Sequence, residues 1–289
     1  MKLLMIAFFS LYVFATTLTL LREGMFEWVI SDFLYCGLAA IVFMSLVFIL
    51  AERIKRYDLV DAAWGSVFIV IALTAFALQP GAVLEFDAQS LVTLLVVIWG
   101  GRLTWHIVKR IRATKNEDPR YVELRKTWKG NVRFNVFSRI YMAQAVLALL
   151  ICIPVIHINL FADNGITPLA WLGVVVWLIG FSFEVIGDRQ LRNFVTNPAN
   201  KGKLMDKGLW QYSRHPNYFG ELTQWWGILL ICLTTPFGWV GIIGPMLISY
   251  LILFVSGIPL NEKRFEGRPG WTAYKARTSV LIPLLPKKT

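Results

Sequence analysis

Residues 168–187 read PLAWLGVVVWLIGFSFEVIG, twenty residues with one ionisable side chain, Glu184, followed at once by Asp188 and Arg189. At about 1.5 Å per residue, such a run spans about 30 Å as a helix, the thickness of the hydrocarbon layer of a bilayer. Seven further runs of this kind lie outward from it, at 3–21, 32–51, 59–78, 91–108, 140–160, 217–233 and 238–258. Two are interrupted, the fourth by Gly100, Gly101 and Arg102 and the seventh by Glu221. The pattern predicts an all-α, polytopic membrane bundle of about eight helices, or seven if the N-terminus lies on the opposite side.

Composition agrees. The chain is 56% hydrophobic and 16% charged, with twelve Trp and 20 Phe, and its mean hydropathy is +0.58. A water-soluble domain cannot hide that much apolar surface, whereas a bilayer can. The apolar run near the N-terminus is long for a signal-peptide core and no small-x-small cleavage site follows it, so it reads as a retained first helix.

The net charge of +11 would suit nucleic acid, but its placement argues for a membrane. If Lys2 faces the cytoplasm, the segments 1–2, 52–58, about 102–139, 189–216 and 259–289 do too, and they carry 28 of the 29 basic residues. Helices chosen by hydropathy alone thus reproduce the positive-inside rule. Both termini are then cytoplasmic, and a bacterial inner membrane is the expected location. The bilayer is the expected partner and nucleic acid is not. A basic cytoplasmic face fits anionic headgroups and anionic cofactors equally well. Cys36, Cys152 and Cys232 sit in apolar surroundings with no metal-ligand spacing, so no metal site is expected. No glycine-rich nucleotide motif follows a strand.

Ionisable groups inside spans are costly, which makes each one a functional candidate. Asp61, Arg102, Glu184, Asp188 and Glu221 qualify, all toward the cytoplasmic helix ends. Glu184, Asp188 and Arg192 follow i, i+4, i+8 spacing on one helix face. They read either as a stripe facing a cofactor or as an intrahelical pair easing the helix out of the bilayer. The sharpest stretch is 208–221, GLWQYSRHPNYFGE. Pro216 suits a first helical turn, and Asn217 and Glu221 then stand one turn apart. Arg214 and His215 precede them at the positive helix end, an arrangement suited to an anion or phosphate. The plain alternative is a snorkelling cap. Beyond the last helix come Glu262, Arg264, Trp271, Tyr274 and Arg277, which could fold back over a ligand or form a basic tail. Upstream, Asp61 with Trp64-Gly65, Gly101-Arg102, Glu117 to Tyr121, Tyr141 and Gln144 could line a substrate pocket or serve helix packing.

These residues carry a resemblance. The motifs Asp61-x-x-Trp-Gly65, Gly101-Arg-Leu103, Glu117-Asp-Pro-Arg-Tyr121, Glu184-x-x-x-Asp188-x-Gln-Leu191 and Ser213-Arg-His-Pro-Asn-Tyr-Phe-Gly-Glu221, with the closing Tyr274 and Ile282-Pro283, resemble the steroid 5-alpha-reductase superfamily. More narrowly, the whole chain resembles its bacterial DUF1295 branch. The Arg-His-Pro-Asn-Tyr run is also similar to that of sterol C14 reductases. The resemblance implies an NADPH-dependent reductase of a carbon–carbon double bond in a flat lipid. It implies cofactor contacts at Asp188, Arg192, Asn217 and Glu221, and more loosely at Tyr274. With the spacing-derived Glu184, Arg214 and His215, these form the expected cofactor set. Residues 140–289 are the expected cofactor side and 1–139 the substrate side. Steroid reductases place a proton-donating Glu–Tyr pair in their N-terminal helices, and no such pair aligns here. Asp61 is the acid comparably placed, and Asp61 and Tyr218 are the expected catalytic residues.

A second reading is a methyltransferase. The Arg-His-Pro-x-Tyr run and the closing Glu, Tyr and Ile-Pro also resemble isoprenylcysteine carboxyl and phospholipid methyltransferases, which bind S-adenosylmethionine. Those show a Glu-Glu pair where this chain has Asn261-Glu262. A third reading is a non-enzymatic lipid-binding or assembly protein.

Overall fold

In a computed structural model of the chain, the described residues are 26–79, 87–114, 116–162 and 165–287. The expected first span at 3–21 lies outside them. The chain divides into two compact units between Gly165 and Ile166. Among the described residues there is no strand, and six helices are long and apolar enough to cross a membrane. The chain is an integral membrane protein of helical-bundle type.

The first unit contains α1 (Phe26–Ile54), α2 (Leu59–Ala77), α3 (Ala88–Arg112), α4 (Pro119–Lys126), α5 (Val132–Ile151) and α6 (Ile153–Phe161). The α1 helix begins at Phe26, earlier than the expected 32, so part of the expected outer loop at 22–31 is helical. Gly100 and Gly101 do not break α3, which runs on through Arg112. The Asp87 side chain caps its start by accepting from Ser90 N, and Lys109, Arg110 and Arg112 close its last turn, where a helix favours cations. The expected span 140–160 is two helices. One π-helical stretch, Phe137–Met142, lies within α5, and the helix ends before Cys152. Pro154 then occupies the first turn of α6, where its missing N–H costs no bond.

The second unit contains α7 (Pro168–Thr196), α8 (Pro216–Cys232), α9 (Gly238–Lys263) and α10 (Trp271–Arg277). The 17 residues of α8 make about 26 Å of helix. The α9 span is composite. A 3₁₀ turn leads into α-helix, then into a π stretch, Leu251–Val255, and a last helical turn follows Gly257.

Glycines set how closely the helices approach. In the first unit α2 and α3 cross at Gly65 and Gly100. A Cβ on Gly100 would lie 2.5 Å from the Gly65 carbonyl oxygen, and one on Gly65 would lie 2.4 Å from that of Gly100. Ser66 and Thr104 hydroxyls meet beside the crossing at 2.9 Å. Lipid supplies no hydrophobic push between helices, so such close packing holds the pair together. A Cβ on neighbouring Gly101 meets nothing within 4 Å. Gly100→Ala should therefore destabilise the protein by about 1–3 kcal/mol through overpacking. Gly101→Ala should be neutral, or stabilising by up to about 1 kcal/mol through helix propensity. Unfolding of the two variants in mild detergent checks this, and equal stability would remove the crossing from the account.

Candidate functional site

In the second unit, α7 and α8 run together on two glycine stripes. Gly173, Gly180 and Gly187 recur every seven residues on α7, and Gly220 and Gly227 on α8. A Cβ on Gly180 would lie 2.6 Å from the Gly220 oxygen, and one on Gly173 would lie 2.6 Å from the Gly227 oxygen. The third α7 glycine, Gly187, packs on Asn217 and Pro216. The sequence reading missed this seam, although the seven-residue spacing was its signal.

Backbone contact brings the polar side chains of the two helices together. Glu184 and Gln224 are both buried, and Gln224 Nε2 donates to Glu184 Oε2 at 2.6 Å. Asp188 is buried one turn further along α7. Asn217 stands in the first turn of α8, and its Oδ1 is buried without a hydrogen-bond partner, as is Gln224 Oε1. Glu221 lies one turn after Asn217 and is half-buried. The structure thus brings Glu184, Asp188 and Asn217 to one seam, with Glu221 on the adjoining turn. Arg192 lies past them and is exposed.

Arg214 and His215 are placed differently. Both are buried. Arg214 Nε donates to Glu262 Oε1 at 2.8 Å, and its terminal nitrogen donates to the carbonyls of Lys275 at 3.1 Å and Thr278 at 2.6 Å. His215 Nε2 lies 3.2 Å from the same Glu262 oxygen, and its ring stacks on Tyr218. Asn261 Nδ2 donates to the Tyr218 hydroxyl at 2.6 Å. Tyr274 is buried, and its hydroxyl donates to the Trp210 carbonyl at 2.6 Å. Burial pushes that hydroxyl's pKa upward. The segment after α9 does fold back, and Arg214, His215, Tyr218 and Tyr274 form the clasp that holds it. Glu262, which fixes Arg214, was read from sequence as part of a terminal cluster and at the methyltransferase-like Asn261-Glu262 position, not as a partner of Arg214.

In the first unit, Asp61 sits one turn from the Gly65–Gly100 crossing. Its carboxylate accepts the Tyr121 hydroxyl, Arg120 at 2.8 Å and Arg110 at 3.2 Å. Tyr121 reaches it because α4 starts at Pro119, with Asp118 as cap accepting from Arg120 N. That cap is tied down in turn, since Asp118 N donates to Asp58. Glu117 accepts Tyr57 N at 3.0 Å and both ends of Arg125 at 2.6 Å. An open cavity of about 440 Å³ adjoins the group, lined by Asp58, Asp61, Arg110, Thr114, Glu117 and Asp118 among others. Burial, and then the Asp61 carboxylate, push the Tyr121 pKa well above its ordinary value. A second acid–tyrosine pair, Glu52 with Tyr57, lies nearby and is braced by Arg133 at 2.8 Å. Burial and the Glu52 bond push Tyr57 up to about 12. Neither member of that pair lines the cavity, and of the first pair only Asp61 does. Sequence reading singled out Asp61 and the 117–121 motif separately and missed their pairing, because sixty residues separate Asp61 from Tyr121.

A protein-family profile described as "Protein of unknown function (DUF1295)" matches residues 47–278. Among curated proteins, 3-oxo-5-alpha-steroid 4-dehydrogenase 1 of Macaca fascicularis is 29% identical over 131 residues, 45% of this chain and 46% of that protein. The protein of the same name from Homo sapiens is 36% identical over 76 residues, 26% of this chain and 29% of that protein. The chain therefore matches less than half the length of either. An uncharacterized protein of Schizosaccharomyces pombe is 22% identical over 294 residues, 88% of this chain and 83% of its own length. No solved structure matches significantly.

The clasp generates a test. Arg214→Ala would leave the Glu262 carboxylate half-enclosed without its guanidinium, and breaking such a buried pair costs about 3–5 kcal/mol. Arg214→Lys should rescue little, because an ammonium cannot serve Glu262 and two carbonyls from one planar fork. With Glu262→Gln added, Arg214→Ala should cost less than it does alone. Chemical unfolding in detergent reads all three, and strictly additive effects would contradict the pairing.

Proposed function

The chain belongs to the DUF1295 family, and from that membership and its polar sites we propose that it is a membrane-embedded, NADPH-dependent reductase. Its substrate would be a steroid-like or isoprenoid lipid with a carbon–carbon double bond conjugated to a carbonyl. The observation that carries this reading is the Asp61–Tyr121 pair, whose Asp61 lines an open cavity while Tyr121 is buried behind it. An acid–tyrosine pair is the proton-donating device that the resemblance to steroid reductases calls for.

The residues of the second unit fit the cofactor. The orphaned Oδ1 of Asn217 and the carboxylates of Glu184 and Asp188 are acceptors suited to an amide N–H₂ and to sugar hydroxyls. Arg214 is engaged by Glu262, so phosphates fall to the exposed Arg192, Lys201, Lys203 and Lys207. Held there, NADPH would supply the hydride chemistry of the reduction. The Tyr121 hydroxyl, which donates its one proton to Asp61 in this structure, would turn from Asp61 to the substrate carbonyl and stabilise the charge that develops on its oxygen. Its proton is then available to complete the reduction, and Asp61 with its two arginines positions the hydroxyl. Arg214 and Tyr274 act by positioning, since they hold the segment that covers the start of α8. The matched steroid 4-dehydrogenases favour this reading over the methyltransferase one.

A tyrosine whose folded pKa lies above its unfolded value of about 10 keeps its proton in neutral and mildly alkaline solution. The stability this lends is complete below that unfolded value and is lost as pH rises through the folded one. Turnover should therefore show no limb from Tyr121 ionisation between about pH 6 and 9. Tyr121→Phe and Asp61→Asn should each lower kcat by about 10²–10⁴-fold while thermal stabilisation by NADPH persists. Stabilisation of the purified protein by S-adenosylmethionine and not by NADPH would overturn the reading. Wild-type turnover in Tyr121→Phe would remove the tyrosine from the chemistry.

A further inference from the structure

The C-terminal segment after α10 is fixed and yet apolar on its outer side. Ser213 and Ser279 form an isolated parallel bridge. Arg214 N donates to Ser279 O at 2.8 Å, Leu284 N to Tyr212 O at 3.1 Å and Lys287 N to Arg277 O at 2.9 Å. Exposure alternates along the segment, with Leu281 and Pro283 less exposed than their neighbours. Val280, Ile282 and Leu284 face outward at 41%, 59% and 59% exposure, with Leu285 beside them at 83%. Large apolar side chains held this exposed mark a contact surface.

The level of the segment indicates what covers it. The strip to which it binds, residues 210–214, is pinned to α7 by Trp210 Nε1, which donates to Gly187 O at 3.1 Å. Gly187 is the twentieth residue of α7 counted from Pro168, about 30 Å along a helix. The strip therefore lies where hydrocarbon gives way to headgroups. The exposed charges of this end of the chain are basic at Lys263, Arg264, Arg268, Lys275 and Lys287, with Glu266 opposing them, while the half-buried Arg277 is paired with Asp206 at 2.5 Å. Apolar residues among cations at that depth match an anionic lipid interface. Pro283 and Pro286 bring no backbone N–H into it.

We propose that residues 280–285 form a lipid-inserted interfacial wedge, set into an anionic headgroup layer at the end of the membrane where α7 leaves the hydrocarbon. The wedge is continuous with Thr278, whose carbonyl receives Arg214. Lipid contact at Leu285 thus holds the clasp at the start of α8, so the membrane itself positions the segment over that helix end. This inference rests on the second unit alone and stands whether or not the protein is a reductase.

The test places a bimane label on Leu285→Cys in the full chain, reconstituted in vesicles of phosphatidylcholine with or without phosphatidylglycerol. Leu178→Cys in the middle of α7 and Val195→Cys in its last turn, both exposed, serve as deep and aqueous references. Lipids brominated near the headgroup should quench Leu285→Cys strongly, and more so with phosphatidylglycerol present, while aqueous iodide should reach it far less than Val195→Cys. Iodide quenching equal to that at Val195→Cys would place the segment in water and overturn the proposal. Protection from both quenchers would mean that protein covers it, and would overturn it equally. Quenching indifferent to phosphatidylglycerol would overturn the headgroup part.

Discussion

Backbone-to-backbone contact between helices is the constraint on which both polar sites depend. In a bilayer, two helices gain nothing from hiding apolar side chains that lipid would solvate equally well. They associate where small residues let main chains touch, as at Gly65–Gly100 in one unit and Gly180–Gly220 in the other. Such a crossing also shortens the reach between side chains one turn away. Asp61 precedes Gly65 by one turn, and Glu184 follows Gly180 by one turn. The same contacts that bind the helices therefore bring carboxylates into range of Arg110 in one case and Gln224 in the other.

A polar group brought there must be satisfied by protein, since the hydrocarbon offers no partner. Arginine does most of this work. Arg120 and Arg110 share Asp61, Arg125 grips Glu117 with both ends, and Arg214 joins Glu262 to two carbonyls. The planar fork suits this task, because one guanidinium can fix several oxygens in a set geometry. The consequence for recognition is specific. The buried Arg214 orients the chain's own carboxylate, and the exposed cations of the second unit near this end lie between Arg192 and Lys207.

Much of the fold was legible because hydropathy and charge act through the bilayer, a solvent with simple rules. The run at 168–187 became α7, and 59–78 became α2 almost to the residue. What failed was local. Gly100 and Gly101 looked like an interruption, but a glycine inside a helix costs only about 1 kcal/mol, which the Gly65 contact outweighs. The break at Cys152 was hidden by the apolar run that continues across it, although Pro154 was its signal. At the sites, the residue types and the i, i+4 faces were readable, and the partners were not. Nothing in sequence joins Glu262 to Arg214 across 48 positions, because a long-range ion pair leaves no periodic trace. The carboxylate partner was what turned an apparent anion cradle into a clasp.

The proposed proton donor shows the same separation between type and partner. The resemblance led to an acid and a tyrosine both within N-terminal helices, and no such alignment exists along this chain. The fold reaches an equivalent pairing by another route. Asp61 lies in the first turn of α2, while Tyr121 is carried on the short helix α4 outside the spans. Aspartate is one methylene shorter than glutamate, so its partner must be brought to it. Pro119 in the first turn of α4, the Asp118 cap and the Asp58 carboxylate that holds Asp118 N do so. Each element of the Glu117–Tyr121 motif then has a physical duty: Glu117 and Asp118 lock the turn, Pro119 starts the helix, Arg120 pins the acid, and Tyr121 presents its hydroxyl. In the proposed function, Asp118, Pro119 and Arg120 would together present the Tyr121 hydroxyl, while Glu117 holds Tyr57 N and Arg125.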